Sequence, residues 1–259
     1  MKKSFTFIII SLMALCASAQ NLYIGSFYVT TPEEESLYGD GNNLWLKRYP
    51  VICDLFNFEQ PDVLGLQSLT QEQLKKVTSL LTYHNAEGDI LYNKNTVELD
   101  TCGVVDEMPE GCTCSWARLQ KEGTTFYVFN ICYNADNAYA AANRTRSAIT
   151  AINTENKPSF VVGYLGVNET KNAYSRMTGK FNDSFTKAAF VSAEFGTVNN
   201  FDLENNHGTS RFDFVFVPKS ATVKAYGQLQ SGYLTQESDG SYKRRMLSTH
   251  FPVMAKVKL

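Results

Sequence analysis

RYPVICDLFNFEQPDVLGLQSL, residues 48–69, carries the pattern that decides the fold. Leu46, Val51, Ile52 and Leu55 recur at helical spacing and predict a helix over Leu44–Phe58. Pro61 and Asp62 break that pattern. Val63–Gln67 then forms an apolar run too short for a helix, which reads as a buried strand.

Outward from this unit, Leu22–Val29 alternates and is rich in β-formers, giving a first strand, followed by a Gly/Asp/Asn loop at Gly39–Asn43. Thr70, with Glu72 and Gln73 behind it, caps a helix that places Leu74, Val77, Leu80 and Leu81 on one face. Strands follow near Asp89–Tyr92 and Leu99–Val105. CSWARLQ and TTFYVFNICYN then flank Lys121-Glu122-Gly123 as a hairpin. Ala138–Asn153 is an alanine-rich helix, Phe160–Val162 a buried strand and Tyr174–Met177 a short helix. Phe212–Val217 is apolar apart from Asp213, and the chain closes on the alternating FPVMAKVKL. Strands outnumber helices, and hairpins mix with strand–helix units. With no repeat, linker or composition break, this predicts one mixed β-sandwich domain over residues 20–259, with helices outside.

Residues 1–19 read as a secretory leader. Lys2 and Lys3 are followed by an apolar run, Phe5–Cys16, and by Ala17-Ser18-Ala19 as a cleavage site. Leu15 is too bulky for Cys16 to mark a lipoprotein, so the expectation is a cleaved, exported protein, periplasmic or extracellular in a bacterium, without a transmembrane anchor. Losing Lys2 and Lys3 takes the formal charge from −2 to −4, which argues against a nucleic-acid partner. The remaining cysteines, Cys53, Cys102, Cys112, Cys114 and Cys132, are odd in number, so at least one stays free in a monomer; one bridge is allowed and no pairing is assigned. Cys112-x-Cys114 lacks the partner motif of a zinc site.

Seven segments, in order, resemble the endonuclease/exonuclease/phosphatase superfamily. IGSFYV resembles its first strand, and residues 48–69 its helix and Gly-Leu-Gln-Glu strand. CSWARLQKEGTTFYVFNICYNAD resembles the hairpin ending Asn-Thr-His-Leu-Asp, and ANRTRSAITAI the helix after it. PSFVVGYLGVN resembles the Gly-Asp-Phe-Asn loop, GTVNNFDLENNHGTSRFDFVFV the Arg-Ile-Asp strand, and STHFPVMAKV the Ser-Asp-His segment. The likeness covers about Leu22–Leu259. It implies a DNase-I-like α+β fold: a four-layer α/β/β/α sandwich of two mixed sheets packed face to face, with a cleft at one end.

The resemblance also implies a divalent metal, usually magnesium, and a general base. Position by position, the residues that would supply them are replaced. The first-strand asparagine falls on Tyr28, the metal-binding glutamate on Ser68, and the phosphate-contacting histidine on Cys132, with Asn134 in place of its aspartate. The general base falls on Tyr164, its asparagine on Gly166, and the metal-associated aspartate on Thr249. Asp213 and His250 survive, the first orienting the second in the family. Ser68, Tyr164 and Thr249 bring no carboxylate to a cation that demands hard oxygen ligands, and a missing base alone slows such chemistry roughly 10²–10⁴-fold.

The expectation is therefore a non-catalytic binding module with no catalytic residue and no metal or other cofactor. Its cleft, lined by the residues at the degenerate positions, would take a small molecule, a glycan, a lipid head group or a protein. The Asp213–His250 pair has three readings: a satisfied structural pair, part of that ligand cleft, or, with Cys132, a thiol triad. One alternative is a phosphoesterase using Mg2+ or another divalent cation through acids elsewhere: Asp40, Glu107, Asp136, Glu169 or Asp183. A second is a thiol enzyme based on Cys132. His84 and His207 read as solvated loop residues and Lys243-Arg244-Arg245 as a solvated basic face, while at least one of Arg144 and Arg146 is expected to pair structurally.

Overall fold

The computed structural model describes residues 21–38, 41, 43–202, 204 and 208–259. The elements run β1 (Asn21–Tyr28), α1 (Pro32–Ser36), α2 (Trp45–Glu59), β2 (Val63–Gln67), α3 (Gln71–Leu80), β3 (His84–Glu87) and β4 (Ile90–Asn93). There follow β5 (Glu98–Val104), β6 (Thr113–Lys121), β7 (Thr124–Cys132), α4 (Ala138–Ile152), β8 (Ser159–Tyr164), α5 (Asn172–Thr178), β9 (Phe181–Asp183) and α6 (Ser184–Lys187). The chain ends with β10 (Phe190–Ser192), β11 (Asp213–Pro218), β12 (Thr222–Gln228), β13 (Gly232–Gln236), β14 (Tyr242–Met246) and β15 (Val253–Lys258). Every element read from the sequence is present. α1, β3, β9, α6, β10, β12 and the β13–β14 hairpin are additions.

Two mixed sheets, ordered β10-β12-β15-β1-β2-β4-β3 and β5-β6-β7-β8-β11-β9, pack face to face. Leu22, Ile24, Val63, Phe126, Val128, Phe160, Val162, Val215 and Val253 fill the space between them. On the outer face of the first sheet, Ile52 and Phe56 of α2 and Val77 of α3 cover Phe27, Leu64 and Leu66. On the outer face of the second, Ala141 and Ile149 of α4 and Met177 of α5 cover Phe129, Val161 and Phe216. This is the expected α/β/β/α sandwich.

The twofold alternation of a strand positions the site. In β1, Leu22 and Ile24 point between the sheets, so Ser26 and Tyr28 share that face. The same parity takes β7 from Phe126 and Val128 to Asn130 and Cys132, and β8 from Phe160 and Val162 to Tyr164. In β11 it joins Val215 and Val217 to Asp213. Each strand is thus apolar at one end of the inter-sheet face and polar at the other, and all the polar ends coincide.

Three sequence expectations are corrected. His84 is not solvated: β3 buries it, with Nε2 2.7 Å from the Pro61 carbonyl. Lys243 and Arg244 are exposed, but Arg245 is buried and paired with Glu237 at 2.7 Å, because the β13–β14 hairpin turns it inward. Cys53, Cys112, Cys114 and Cys132 are free thiols, so none of these four takes part in the allowed bridge. His207 and Asp40 lie outside the described residues. Arg144 and Arg146 both serve structure, donating to the carbonyls of Asp106 and Arg176.

His84 has a consequence for stability. Burial lowers its pKa, against the opposing pull of the Pro61 carbonyl and Asp62, and Nδ1 has no partner among the described residues. Below the ordinary histidine pKa of about 6.5 the unfolded chain takes up a proton that the folded chain resists, so stability falls as pH falls. Denaturation midpoints measured from pH 7.5 to 5 should decline, and His84→Gln should flatten that part of the curve.

Candidate functional site

The coinciding polar ends form the site. In the first sheet the parallel register of β1 and β2 sets Tyr28 beside Gln67. In the second, Cys132 lies beside Tyr164, and Tyr164 beside Asp213. Asn130 links the sheets: its Oδ1 accepts from Gln67 Nε2 at 2.6 Å, and its Nδ2 donates to the Leu66 carbonyl at 2.8 Å. Gly65 makes room for this, since a Cβ there would lie 2.4 Å from Asn130 Oδ1.

Both first-sheet strands leave the site through left-handed backbone. Thr30 has φ 73° and Ser68 φ 48°, and for a β-branched residue this is a strained conformation costing on the order of 1–3 kcal/mol. A dense polar shell holds Thr30 there. Its Oγ1 lies 2.7 Å from both Ser248 Oγ and Thr249 Oγ1, and its carbonyl accepts from Gln73 Nε2 and Arg48 Nη2.

Arg48 is the centre of that shell and is fully buried. Nη1 donates to the carbonyls of Val29 (2.9 Å) and Leu247 (2.7 Å), Nε to that of Asn43 (2.7 Å), and Nη2 to Glu35 Oε2 at 2.5 Å. Its guanidinium also stands over the rings of Trp45 and Phe201. Burial lowers its pKa, and Glu35 counters that shift. One cation therefore joins α1, α2, the end of β1 and the segment leading to Thr249 and His250.

Tyr28, Tyr164 and His250 pack on one another. Tyr28 stacks on His250 at 4.2 Å between centroids and 21° between planes, and Tyr164 meets both rings edge-on at 4.9 and 5.4 Å. Tyr28 and His250 are buried and Tyr164 is half-buried, so the rings fill this end of the inter-sheet space. His250 Nδ1 lies 2.8 Å from Asp213 Oδ2, while Asp213 Oδ1 has no partner among the described residues. Burial, then Asp213, Cys132 and Glu34, push the Tyr164 hydroxyl up to about 12.

Glu34 is the acid the sequence reading missed. It belongs to a capping box at the start of α1, in which the Thr31 amide donates to Oε2 at 2.9 Å. Ser68 Oγ donates to the same oxygen at 2.7 Å, and the Tyr28 hydroxyl donates to Oε1. A carboxylate from α1 is therefore bonded to both Tyr28 and Ser68. The signal was present as Thr31-Pro32-Glu33-Glu34, a capping-box sequence with proline at N1.

Beside the rings a cleft of about 530 Å³ runs along Ser68 and Cys132 to Asp89 and Ser115. Leu69, Leu74, Val104, Val105 and Met108 form its apolar wall. Burial, and then the charges of Asp213, Asp89 and Glu34, raise the Cys132 thiol to about 12, although a hydrogen bond from the Ser68 backbone opposes them.

Ser68 and Cys132 line this cleft, while Tyr28, Tyr164, Thr249 and His250 are not among its lining residues. Asn134 and Gly166 do not line it either. Asn134 is exposed and uses Oδ1 to accept from the Asp136 amide. Gly166, at φ 74°, is held against the Tyr133 carbonyl, where a Cβ would lie at 2.5 Å. Among the alternative acids, Asp183 is paired with Arg211 at 2.7 Å, Glu169 accepts from the Arg211 amide, and Glu107 and Asp136 are exposed. Among the described residues no group of three or more His, Cys, Asp or Glu is placed to hold a metal ion.

No family model and no curated protein matches the chain. Solved structures do. An endonuclease/exonuclease/phosphatase family protein from Bacteroides thetaiotaomicron is similar with TM-score 0.85 and 25% identity, over 93% of this chain and 98% of that one. A mannosyl-6-phosphatase from the same organism gives TM-score 0.82 and 25% identity over 91% and 99%. TDP2 from D. rerio, complexed with a single-strand DNA product, shares the fold at TM-score 0.66 and 15% identity over 92% and 99%. The structural neighbours are thus endonuclease/exonuclease/phosphatase proteins, and the sandwich is DNase-I-like.

Removing Arg48 should be severe. Arg48→Met leaves Glu35 buried without its partner, a situation that typically loses roughly 3–5 kcal/mol. Urea denaturation should show a loss of that size, and Glu35→Gln in the same chain should restore part of it.

Proposed function

We propose that this chain is an exported, non-catalytic member of the DNase-I-like group, a binding module built on a phosphoesterase scaffold. The carrying observation is the engagement of Glu34. It is the carboxylate nearest the replaced positions, and its oxygens already accept from Tyr28, Ser68 and the Thr31 amide.

The donor set fits magnesium poorly, which supports this reading. Mg2+ favours an octahedral oxygen shell anchored by one or two carboxylates. Ser68 and Thr249 offer neutral hydroxyls, and Thr249 Oγ1 is bonded to Thr30. The position of the general base carries a tyrosine whose hydroxyl stays protonated near neutral pH. Asp213 and His250 then act as a structural pair beneath the rings, and the adjoining cleft is where a ligand binds. Export rests on the leader pattern of residues 1–19, and among the described residues no helix is long and apolar enough to cross a membrane.

The second reading, a divalent-metal-dependent phosphoric ester hydrolase, is favoured by the mannosyl-6-phosphatase among the neighbours and by Glu34 standing beside Ser68. Turnover separates the two. Incubation with a phosphomonoester, a phosphodiester and DNA, in Mg2+, Mn2+ or Ca2+, should give no hydrolysis above background. Activity abolished by alanine at Asp213 or His250, or by Glu34→Gln, would establish the hydrolase instead.

The thiol-enzyme reading predicts a thiolate at neutral pH, which requires a lowered pKa. Cys132 is shifted the other way. Iodoacetamide at pH 7 should label exposed Cys102 well before Cys132, as read by mass spectrometry, and preferential labelling of Cys132 would revive the triad.

A further inference from the structure

The cleft beside the aromatic rings is walled by Leu69, Leu74, Val104, Val105 and Met108, and its volume of about 530 Å³ lies within the usual range for small-molecule sites. Its charge is the informative feature. Among the described lining residues there is no lysine, arginine or histidine, and the one ionisable carboxyl is Asp89. A site for a phosphate ester is built from cations or N–H donors that meet the ester's negative charge. This wall offers the opposite.

A second observation agrees. The thiol of Cys132, at the junction of the cleft and the rings, feels three carboxylates, those of Asp213, Asp89 and Glu34, each of which disfavours a further negative charge there. The basic group that reaches the far wall is Arg144, felt at Cys114, and its Nε is engaged by the Asp106 carbonyl. Asp89 itself has one carboxyl oxygen bonded to Ser115 Oγ, and its backbone carbonyl accepts from the Leu66 amide.

We propose that this cleft binds a small cationic amine with an apolar body, with the Asp89 carboxylate as its counter-ion and the leucine, valine and methionine wall around its hydrocarbon part. The assignment deepens the non-catalytic reading of the site and rests on it. Burial disfavours the charged form of Asp89, and an ammonium group supplies a cationic partner that none of the described lining residues provides. A phosphate ester brought to the same place would meet a carboxylate instead of a cation.

Three probes with one hydrocarbon body separate charge from hydrophobic burial: n-hexylamine, 1-hexanol and hexyl phosphate, titrated calorimetrically into the purified protein at pH 7. Hexylamine should bind at least about tenfold more tightly than hexyl phosphate, and more tightly than hexanol, as expected of a charge pair in a partly buried site. Asp89→Asn should weaken hexylamine at least about fivefold while leaving hexanol unchanged. Met108→Trp, which fills the cleft from a half-buried loop position, should remove hexylamine and hexanol binding. Hexyl phosphate or hexanol binding as well as hexylamine, indifference of the amine to Asp89→Asn or to Met108→Trp, or no binding by any probe would overturn the proposal. Hexyl phosphate also keeps the two readings distinct. Inorganic phosphate released in the presence of Mg2+ would sink the non-catalytic reading, whereas tight binding without release would sink the amine assignment alone.

Discussion

The buried guanidinium of Arg48 is the constraint on which the rest of the site depends. Five acceptors converge on it from four parts of the chain: the end of β1, the Asn43 loop, α1 and the segment before His250. A cation without solvent must have nearly all its donors met, so these segments have little freedom relative to one another. The strained backbone of Thr30 is one result. A β-branched residue stays in left-handed geometry because leaving it would break bonds to Arg48, Gln73, Ser248 and Thr249 together. The position of Glu34 is another, since the helix that carries it is anchored by the neighbouring Glu35.

This explains how the chemical residues can change while the site keeps its shape. The strands bring Tyr28, Gln67, Cys132, Tyr164 and Asp213 to one end of the sandwich by parity and register, and neither depends on what those side chains are. With tyrosines at positions 28 and 164, where the family resemblance implies an asparagine and an aspartate, aromatic rings fill this end of the inter-sheet space. Tyr28, Tyr164 and His250 then gain ring contacts, each worth on the order of 0.5–1.5 kcal/mol beyond area burial.

Much of this was legible in the sequence. The run at residues 48–69 gave α2, the turn and β2, because helical spacing, a Pro-Asp break and a short apolar run are local signals. Tyr28, Ser68, Cys132, Tyr164, Asp213 and His250 lie at one end of the sandwich, and each follows a readable strand or motif. Asn134 and Gly166 lie in loops outside the cleft lining. Their motif fixes the backbone of a loop, and side-chain direction in a loop has no period to read. Arg48 was missed, and His84 was misread as solvated, for a different reason. Their burial is decided by segments distant in sequence, Leu247 for one and the β2–β4–β3 edge for the other, and no local pattern reports such contacts. Glu34 lies between these cases: its capping box was readable, but not that the same carboxylate would reach Ser68.

Glu34 also accounts for the electrostatic character of the site. A replacement of Glu by Ser at position 68 would remove a negative charge if nothing else changed. Here α1 brings a carboxyl group to the same hydroxyl, so carboxyl groups reach this end of the sandwich from three directions: Glu34, Asp89 and Asp213. A phosphoesterase can carry such a cluster because a divalent cation neutralises it and then attracts the phosphate. On the reading proposed above, the carboxyl groups of this chain serve no such cation. Each is instead occupied internally, Glu34 by hydroxyls and an amide, Asp213 by His250, and Asp89 by Ser115. On the reading proposed above, the protein's own hydrogen bonds hold these carboxyl groups in place, with no change of fold.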